Sequence, residues 1–209
     1  MAQDVKPTRA EELRLKEQIE LAESGHSILE KKRDSLIHEF MELVDEAQDT
    51  KGTVSEQFRV AQRKLAEVKA VEGADRLRSL AMVADQEPEV ELESRNIMGV
   101  TVPRIASESA DVALGDRGYG LLSGSQAVDD AVQAYEELIE AVIEAAEIET
   151  ALMKLLDEID STKRRVNALE NRVIPERKKQ LDYVSQYLEE NEREETFRMK
   201  KIKEGKDES

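Results

Sequence analysis

One hydrophobic stripe constrains this chain more than any other feature. Leu15, Ile19, Ala22, His26, Leu29, Arg33, Leu36, Phe40, Leu43 and Ala47 follow one another in alternating steps of four and three. That mean spacing keeps one face of an α-helix turned toward a partner helix, the seam of a coiled coil. Toward the other end, Val128, Val132, Tyr135, Ile139, Val142 and Ala146 make a second seam. Ala145, Ile148, Leu152, Leu155, Ile159, Val166, Leu169 and Val173 continue it one residue earlier, a drift read as a straight helix meeting a nominal heptad. The fold class is therefore all-α, a long antiparallel two-helix coiled coil with a small central segment containing a short β-hairpin. At about 1.5 Å per residue, roughly 65 paired residues predict a rod on the order of 100 Å long.

Composition supports a thin seam over a thick core. Aromatic residues are 3% of the chain and charged residues 37%, whereas a globule of 209 residues buries more large rings. The absence of cysteine excludes disulfides and thiolate chemistry and fits a reducing compartment. No apolar run reaches the roughly 18 residues of a membrane span, and the polar start Ala2-Gln3-Asp4-Val5-Lys6 lacks the apolar region of a signal peptide. A soluble, cytoplasmic chain is expected. The net charge of −16 opposes binding to nucleic acid or to an anionic membrane surface. Such an acidic surface suits a cytoplasm of molar salt, where the Debye length falls to about 3 Å. For a halophilic source, thermal stability should rise between low and molar KCl; a flat or falling curve rejects that origin.

The chain divides into a coiled-coil helix over 1–72, a central segment over 73–125, a second coiled-coil helix over 126–203 and a disordered tail over 204–209. The first helix starts near Thr8, which follows Pro7 and precedes Glu11 at capping-box spacing. Its seam is read as shifting phase around 49–53, with Gly52 marking a kink or local break, and resuming at Val54, Phe58, Ala61, Leu65 and Val68. Leu77, Leu80, Ala81 and Val83 add a further helical turn or two before Pro88. The alternation Val90-Glu91-Leu92-Glu93 and the β-branched run flanking Gly99 predict a hairpin, and the glycine-rich stretch 115–125 a loop ending in a cap at Ser125. Pro175 falls inside the second seam, which continues through Leu181, Val184 and Leu188, and should bend it.

Folding back at the middle makes paired residue numbers sum to roughly 200, which sets Gly25 opposite Pro175. Two readings of Gly25 stand: its missing side chain makes room for the bend, or it is an incidental glycine on a solvated face. Arg33, at a seam position, comes near Asn167 and Glu170, where it either fixes register or extends its head to water.

Recognisable reaction chemistry is missing. His26 and His38, the two histidines, have no metal-ligand neighbours at helical spacing, so no metal site is expected. Gly118-Tyr119-Gly120 lacks the third glycine of a dinucleotide fingerprint, and no P-loop, nucleophile elbow or kinase signature occurs. Acidic pairs lie on exposed helical faces, where nothing raises a carboxyl pKa. No catalytic residue and no cofactor are expected.

The segment RRVNALENRVIPERKKQLDYVSQYLEENEREETFRMKKIK, from Arg164 to Lys203, resembles the C-terminal helix of the D subunits of the archaeal and vacuolar-type rotary ATPases. Pro7-Thr8-Arg9, Leu13, Gly25, Leu29, Lys31-Lys32-Arg33-Asp34, Leu36 and Glu39-Phe40 are similar to that family's opening pattern, as Met98-Gly99-Val100-Thr101-Val102-Pro103 is to its middle. The resemblance runs nearly end to end, and the chain departs from it in being more acidic. It implies a non-catalytic central-stalk rotor, peripheral on the cytoplasmic face of the membrane. Its partners would be the catalytic and non-catalytic A and B subunits of the hexamer, the F protein of the stalk, and the adaptor C (also called d) on the membrane ring. Paired terminal helices would enter the hexamer, with Arg9, Arg193, Arg198, Lys200 and Lys201 reaching acidic or carbonyl groups there, or else remaining ordinary exposed charges. Gly25 and Pro175 would set the shaft's curvature. The hairpin residues Gly99, Val100, Val102 and Pro103 would meet other stalk proteins. The competing reading is a static coiled-coil scaffold with no motor role.

Overall fold

The first helix begins as its capping signal predicts. Thr8 accepts the amide of Glu11 on its Oγ1 at 3.2 Å, and its carbonyl accepts the amide of Glu12 at 3.0 Å. In the computed structural model, which describes residues 6–83, 90–107 and 125–207, the elements are α1 (Arg9–Glu72), α2 (Ala74–Val83), β1 (Val90–Ile97), β2 (Val100–Ser107), α3 (Gln126–Ala168), a π-helical turn (Leu169–Val173) and α4 (Ile174–Asp207). Gly73, at φ +84°, takes the left-handed conformation that ends α1 without a Cβ penalty. The all-α architecture with one small antiparallel hairpin is as the sequence predicts.

α1 corrects one expectation. The helix passes through Gly52 without interruption and its seam keeps one phase. Thr50, Ala61 and Val68 are buried, Val54, Gln57 and Lys64 half-buried at the intervening steps, and Phe58 is 51% exposed. The apparent phase shift comes from following the largest apolar residues, whereas the continuous heptad places polar Thr50, Gln57 and Lys64 inward.

α3 shows the same preference. Buried positions are Val128, Ala131, Ala134, Leu138, Ala141, Ile148, Ala151 and Leu155, while Ile139 and Val142 of the expected first seam face outward. Alanine lets two helix axes approach closely, which an isoleucine or valine at the same positions prevents. One seam thus runs along α3 with no drift. At its start the carbonyl of Ser125 accepts the amide of Val128 at 2.8 Å, whereas the Ser125 hydroxyl is buried without a partner, so backbone rather than side chain caps the helix.

The described residues belong to two compact units, Met1–Ser35 with Ile159–Ser209, and Leu36–Glu158. In the second, Ala61, Ala134 and Leu138 form one core cluster with Val54, Val60 and Tyr135 against it. Val68, Val128 and Ala131 form another, covered by Leu77 and Leu80 of α2. In the first, Leu15, Val166 and Val184 are the most deeply buried apolar side chains, with Thr162 fully buried beside them in sequence spacing.

Three seam groups are buried without a hydrogen bond, His26 Nε2, Thr162 Oγ1 and Gln57 Oε1. Such a group forfeits its hydration, so Thr162→Val and Gln57→Leu are each expected to stabilise the fold by about 1–2 kcal/mol, read as a rise in the urea midpoint. A fall in midpoint for both would mean that their polar atoms are satisfied in solution.

α4 extends to Asp207, so residues 204–207 are helical and not the disordered tail expected there, since a Lys- and Glu-rich end carries no proline to stop the helix. The expected loop over 115–124 and the break at Pro88 lie outside the described residues.

Candidate functional site

Two ion pairs and one close approach of a histidine to a carboxylate join the two ends of the chain within the first unit. Arg9 pairs with Glu192, Lys178 Nζ lies 2.8 Å from Glu23, and His26 Nε2 lies 4.0 Å from a Glu170 oxygen. Their residue numbers sum to about 200, the register of an antiparallel pair folded at the middle. Arg9 also stands 3.8 Å from Glu12. The Glu12 carboxyl is held below the usual range, chiefly by a hydrogen bond from Lys16 at 2.8 Å.

Of the two readings of Arg33, the structure shows neither a bond across the pair nor a head free in water. Its Nε and Nη2 both donate to Asp34 on its own helix, at 3.0 and 2.8 Å, which raises its pKa, with Glu170 adding only a weaker through-space attraction. The residue that approaches Glu170 across the seam is His26, whose Nε2 is buried and has no hydrogen-bond partner. Asn167 is exposed, and its carbonyl accepts the side-chain amide of Asn171 at 3.2 Å. Gly25 is level with Pro175, but a Cβ added at Gly25 meets nothing within 4 Å, so the glycine is not making room for a bend.

Pro175 sits directly after the π turn. An α-helix requires residue 175 to donate to the carbonyl four residues back, and a proline ring both lacks the donor and strikes that carbonyl. The chain widens by one residue instead: the amide of Ile174 donates to the carbonyl of Leu169, five residues earlier. Buried or half-buried positions step from Val166 and Leu169 to Ile174, then to Leu181, Val184 and Leu188, so the inserted residue preserves the seam on both sides.

The hairpin is held against α3 in the second unit. A two-residue turn at Met98-Gly99, with φ of +50° and +89°, joins strands that pair from Ile97↔Val100 to Val90↔Ser107. Asn96 Oδ1 accepts the Gly99 amide at 2.9 Å and braces this turn. Residues 101, 103 and 105 then point their backbone groups away from β1. Pro103, which has no amide hydrogen, occupies the middle of that edge, as an edge strand permits. On either side of it, Ile105 donates its amide to Glu147 Oε2 at 2.9 Å and Thr101 accepts from Lys154 Nζ at 3.0 Å. Val102 is 2% exposed and serves packing, so it is not an available contact side chain; Val100 and Pro103 are half-buried and Gly99 is exposed. Glu147 and Lys154 escape sequence reasoning because they read as ordinary helix charges. Their seven-residue spacing beside the seam carries meaning once Ile148 and Leu155 are recognised as buried.

Across α1 and α3, Lys64 donates to Asp130 at 3.0 Å and Gln62 to the Tyr135 hydroxyl at 3.1 Å. Hydrogen bonding to Asp130, and then to Glu67, raises the Lys64 pKa above 10.5. A raised folded value means that the contribution is fully present below 10.5 and is lost as pH climbs through the folded value. The stability difference between wild type and Asp130→Asn is therefore expected to shrink on alkaline titration, followed by thermal melts at stepped pH; a constant difference would remove the bridge from the account.

Of the remaining expected contact residues, Arg193 lies 3.9 Å from Glu189 and Arg198 3.4 Å from Glu194, both along α4, and Lys200 and Lys201 are exposed. A shallow open depression on α4, lined by Glu189, Arg193, Phe197 and Lys200 among others, is shaped for surface contact and not for enclosing a small molecule. Among the described residues no group of three His, Asp or Glu side chains is placed to hold a metal ion, and no helix is long and apolar enough to cross a membrane.

Residues 11–204 match the family model of the ATP synthase D subunits. The chain is 51% identical over 203 residues to the D subunit of the A-type ATP synthase of Halorubrum lacusprofundi, covering 97% of this chain and 89% of that protein. The corresponding protein of Haloquadratum walsbyi is 50% identical, with 97% and 88% covered. That of Methanoregula boonei is 48% identical over 200 residues, with 96% of each chain covered.

Proposed function

Because the chain belongs to the family of ATP synthase D subunits, we propose that it is the central-stalk rotor of an A-type ATP synthase, carrying rotation between an ion-driven membrane ring and a catalytic hexamer. The observation that carries this reading is the pairing of the chain's two ends, Arg9 with Glu192, Glu23 with Lys178 and His26 beside Glu170. Two helices that share a packed seam resist twist better than one, because turning either shears side chains held in the other's holes. In this role ATP binds the hexamer of A and B subunits, and the chain contributes torque and no chemistry. Its terminal helices lie within the hexamer, where Arg193, Arg198, Lys200 and Lys201 present cations on an exposed surface. The hairpin end meets the F protein of the stalk and the adaptor C, with the exposed Met98-Gly99 turn foremost. An asymmetric shaft makes the three catalytic interfaces unequal, and its turning exchanges their conformations.

The absence of native cysteine makes the test direct. A single cysteine introduced at Arg95, exposed on the hairpin outside the hexamer, carries a bead in the detached complex, whose hexamer is fixed to a surface. Stepwise, one-directional rotation on adding ATP is the expected result. ATP turnover with a stationary bead would instead establish the static scaffold.

A further inference from the structure

His26 is a largely buried titratable group for which carrying torque has no use. It occupies the seam step between Ala22 and Leu29, its side chain is 21% exposed, and its Nε2 is buried without a hydrogen bond. The nearest acidic oxygen, on Glu170 across the pair, lies 4.0 Å away. In one neutral tautomer Nε2 turns a lone pair toward a carboxylate that has only lone pairs to offer; in the other it presents an uncharged N–H beyond bonding distance. The imidazolium adds charge to that donor, and charge-assisted bonds of this kind close to about 2.7–2.9 Å, roughly 1 Å shorter than the present gap. Glu170 is 60% exposed and can cover that distance by a change of rotamer. His38, by contrast, is 78% exposed and lies 3.5 Å from Glu42 on its own helix, so a proton there joins nothing across the pair.

The other charges around His26 are matched among themselves. On α1, Glu23 pairs with Lys178 of α4 at 2.8 Å, and Glu30 lies 3.8 Å from Arg33, which donates to Asp34. On α4, half-buried Arg177 donates to Gln180 at 2.9 Å. Glu170 is left with a through-space attraction to Arg33 and the approach of His26. It belongs to the π turn Leu169–Val173, where the helix departs from regular α bonding. We propose that His26 is a proton-operated clasp: on taking up a proton its imidazole bonds the Glu170 carboxylate across the seam and fastens α1 to the π turn, and on losing the proton it leaves the two helices held there by packing alone. The bonded imidazolium exists only in the folded pair, so proton uptake and folding favour each other. The contribution is present at low pH and is lost as pH rises through the range of about 5 to 8 in which histidines change charge. Acidification thus ties the shaft together where its own hydrogen-bond ladder is widened. The inference does not rest on rotation, since the same clasp would close in a stationary stalk.

The test uses the full chain at fixed ionic strength. Urea unfolding of wild type, His26→Gln, Glu170→Gln and the double variant isolates the coupling between the two side chains, measured once in acid near the lower end of that range and once in alkali above it. In acid the coupling is expected to favour the folded state about three- to fivefold in the equilibrium constant, modest because Glu170 stands largely in water, and in alkali to disappear. Hydrogen exchange gives a local reading: corrected for the intrinsic rate, protection of the π-turn amides should rise on acidification in wild type and stay level in His26→Gln and Glu170→Gln. His38→Gln is the control and should alter neither pH dependence, since its partner Glu42 lies on the same helix. A coupling equal at both pH values or larger in alkali, or π-turn protection in wild type that ignores pH, would overturn the proposal. Should His26→Gln fail to fold, the exchange difference between wild type and Glu170→Gln decides it alone.

Discussion

Leu155→Ala is expected to lower the unfolding free energy by about 3 kcal/mol, while Leu156→Ala, one residue away, changes it by less than about 0.5 kcal/mol. The two side chains are chemically identical and share one helix, so propensity cancels from the comparison. What separates them is the phase of the seam: Leu155 is fully buried and Leu156 is 54% exposed. Truncation at 155 loses the transfer energy of its methyl groups and leaves a cavity that a two-helix layer closes poorly, whereas truncation at 156 removes surface already in water. Urea unfolding followed by far-UV circular dichroism reads both. Equal losses, or a larger loss at 156, would show that α3 is rotated away from the orientation that buries Leu155.

That comparison also marks where the sequence is legible. From Leu15 to Ala47 apolar residues occupy nearly every seam position, and the structure keeps that phase. Beyond Ala47 the seam accepts Thr50, Gln57 and Lys64, and on α3 Ala131, Ala134 and Ala141, while Phe58, Ile139 and Val142 face out. Size is a poor guide there, because close helix approach rewards small residues and the large ones belong to a second apolar stripe beside the first. The hairpin is legible because β-branched residues flank a glycine. Its turn centre is less so, since Met98 adopts φ +50°, which methionine rarely takes. Gly25 misleads for a different reason: a glycine in a helix suggests close approach, yet open space surrounds it. Arg33 is legible as a polar seam residue, but Asp34 lies nearer than any group across the seam.

The π turn before Pro175 is expected to behave as a coupled pair of elements rather than as a bend set by one residue. Deleting Asn171 alone turns the widened segment back into an α-helix and puts the ring of the original Pro175 against the carbonyl four residues before it, a loss of about 3 kcal/mol. Pro175→Ala alone changes stability by less than about 1 kcal/mol, because Leu181, Val184 and Leu188 still need the inserted residue to face the seam, and Val184 is fully buried. Combining the two removes both the insertion and the reason for it. The steps from Val166 and Leu169 then continue in threes and fours through the former Ile174 and Leu181 to Val184, so the double variant is expected to regain most of the stability lost by the deletion. Its thermodynamic cycle is accordingly far from additive. Urea midpoints of the four proteins measure this; additive losses would show that seam phase and proline geometry act separately. In the assembled synthase, the double variant exchanges a widened turn for an unbroken hydrogen-bond ladder, and the ions consumed per ATP made test its effect. A changed ratio in a fully assembled, stable variant assigns the turn a part in transmitting torque, and an unchanged ratio confines it to accommodating the proline.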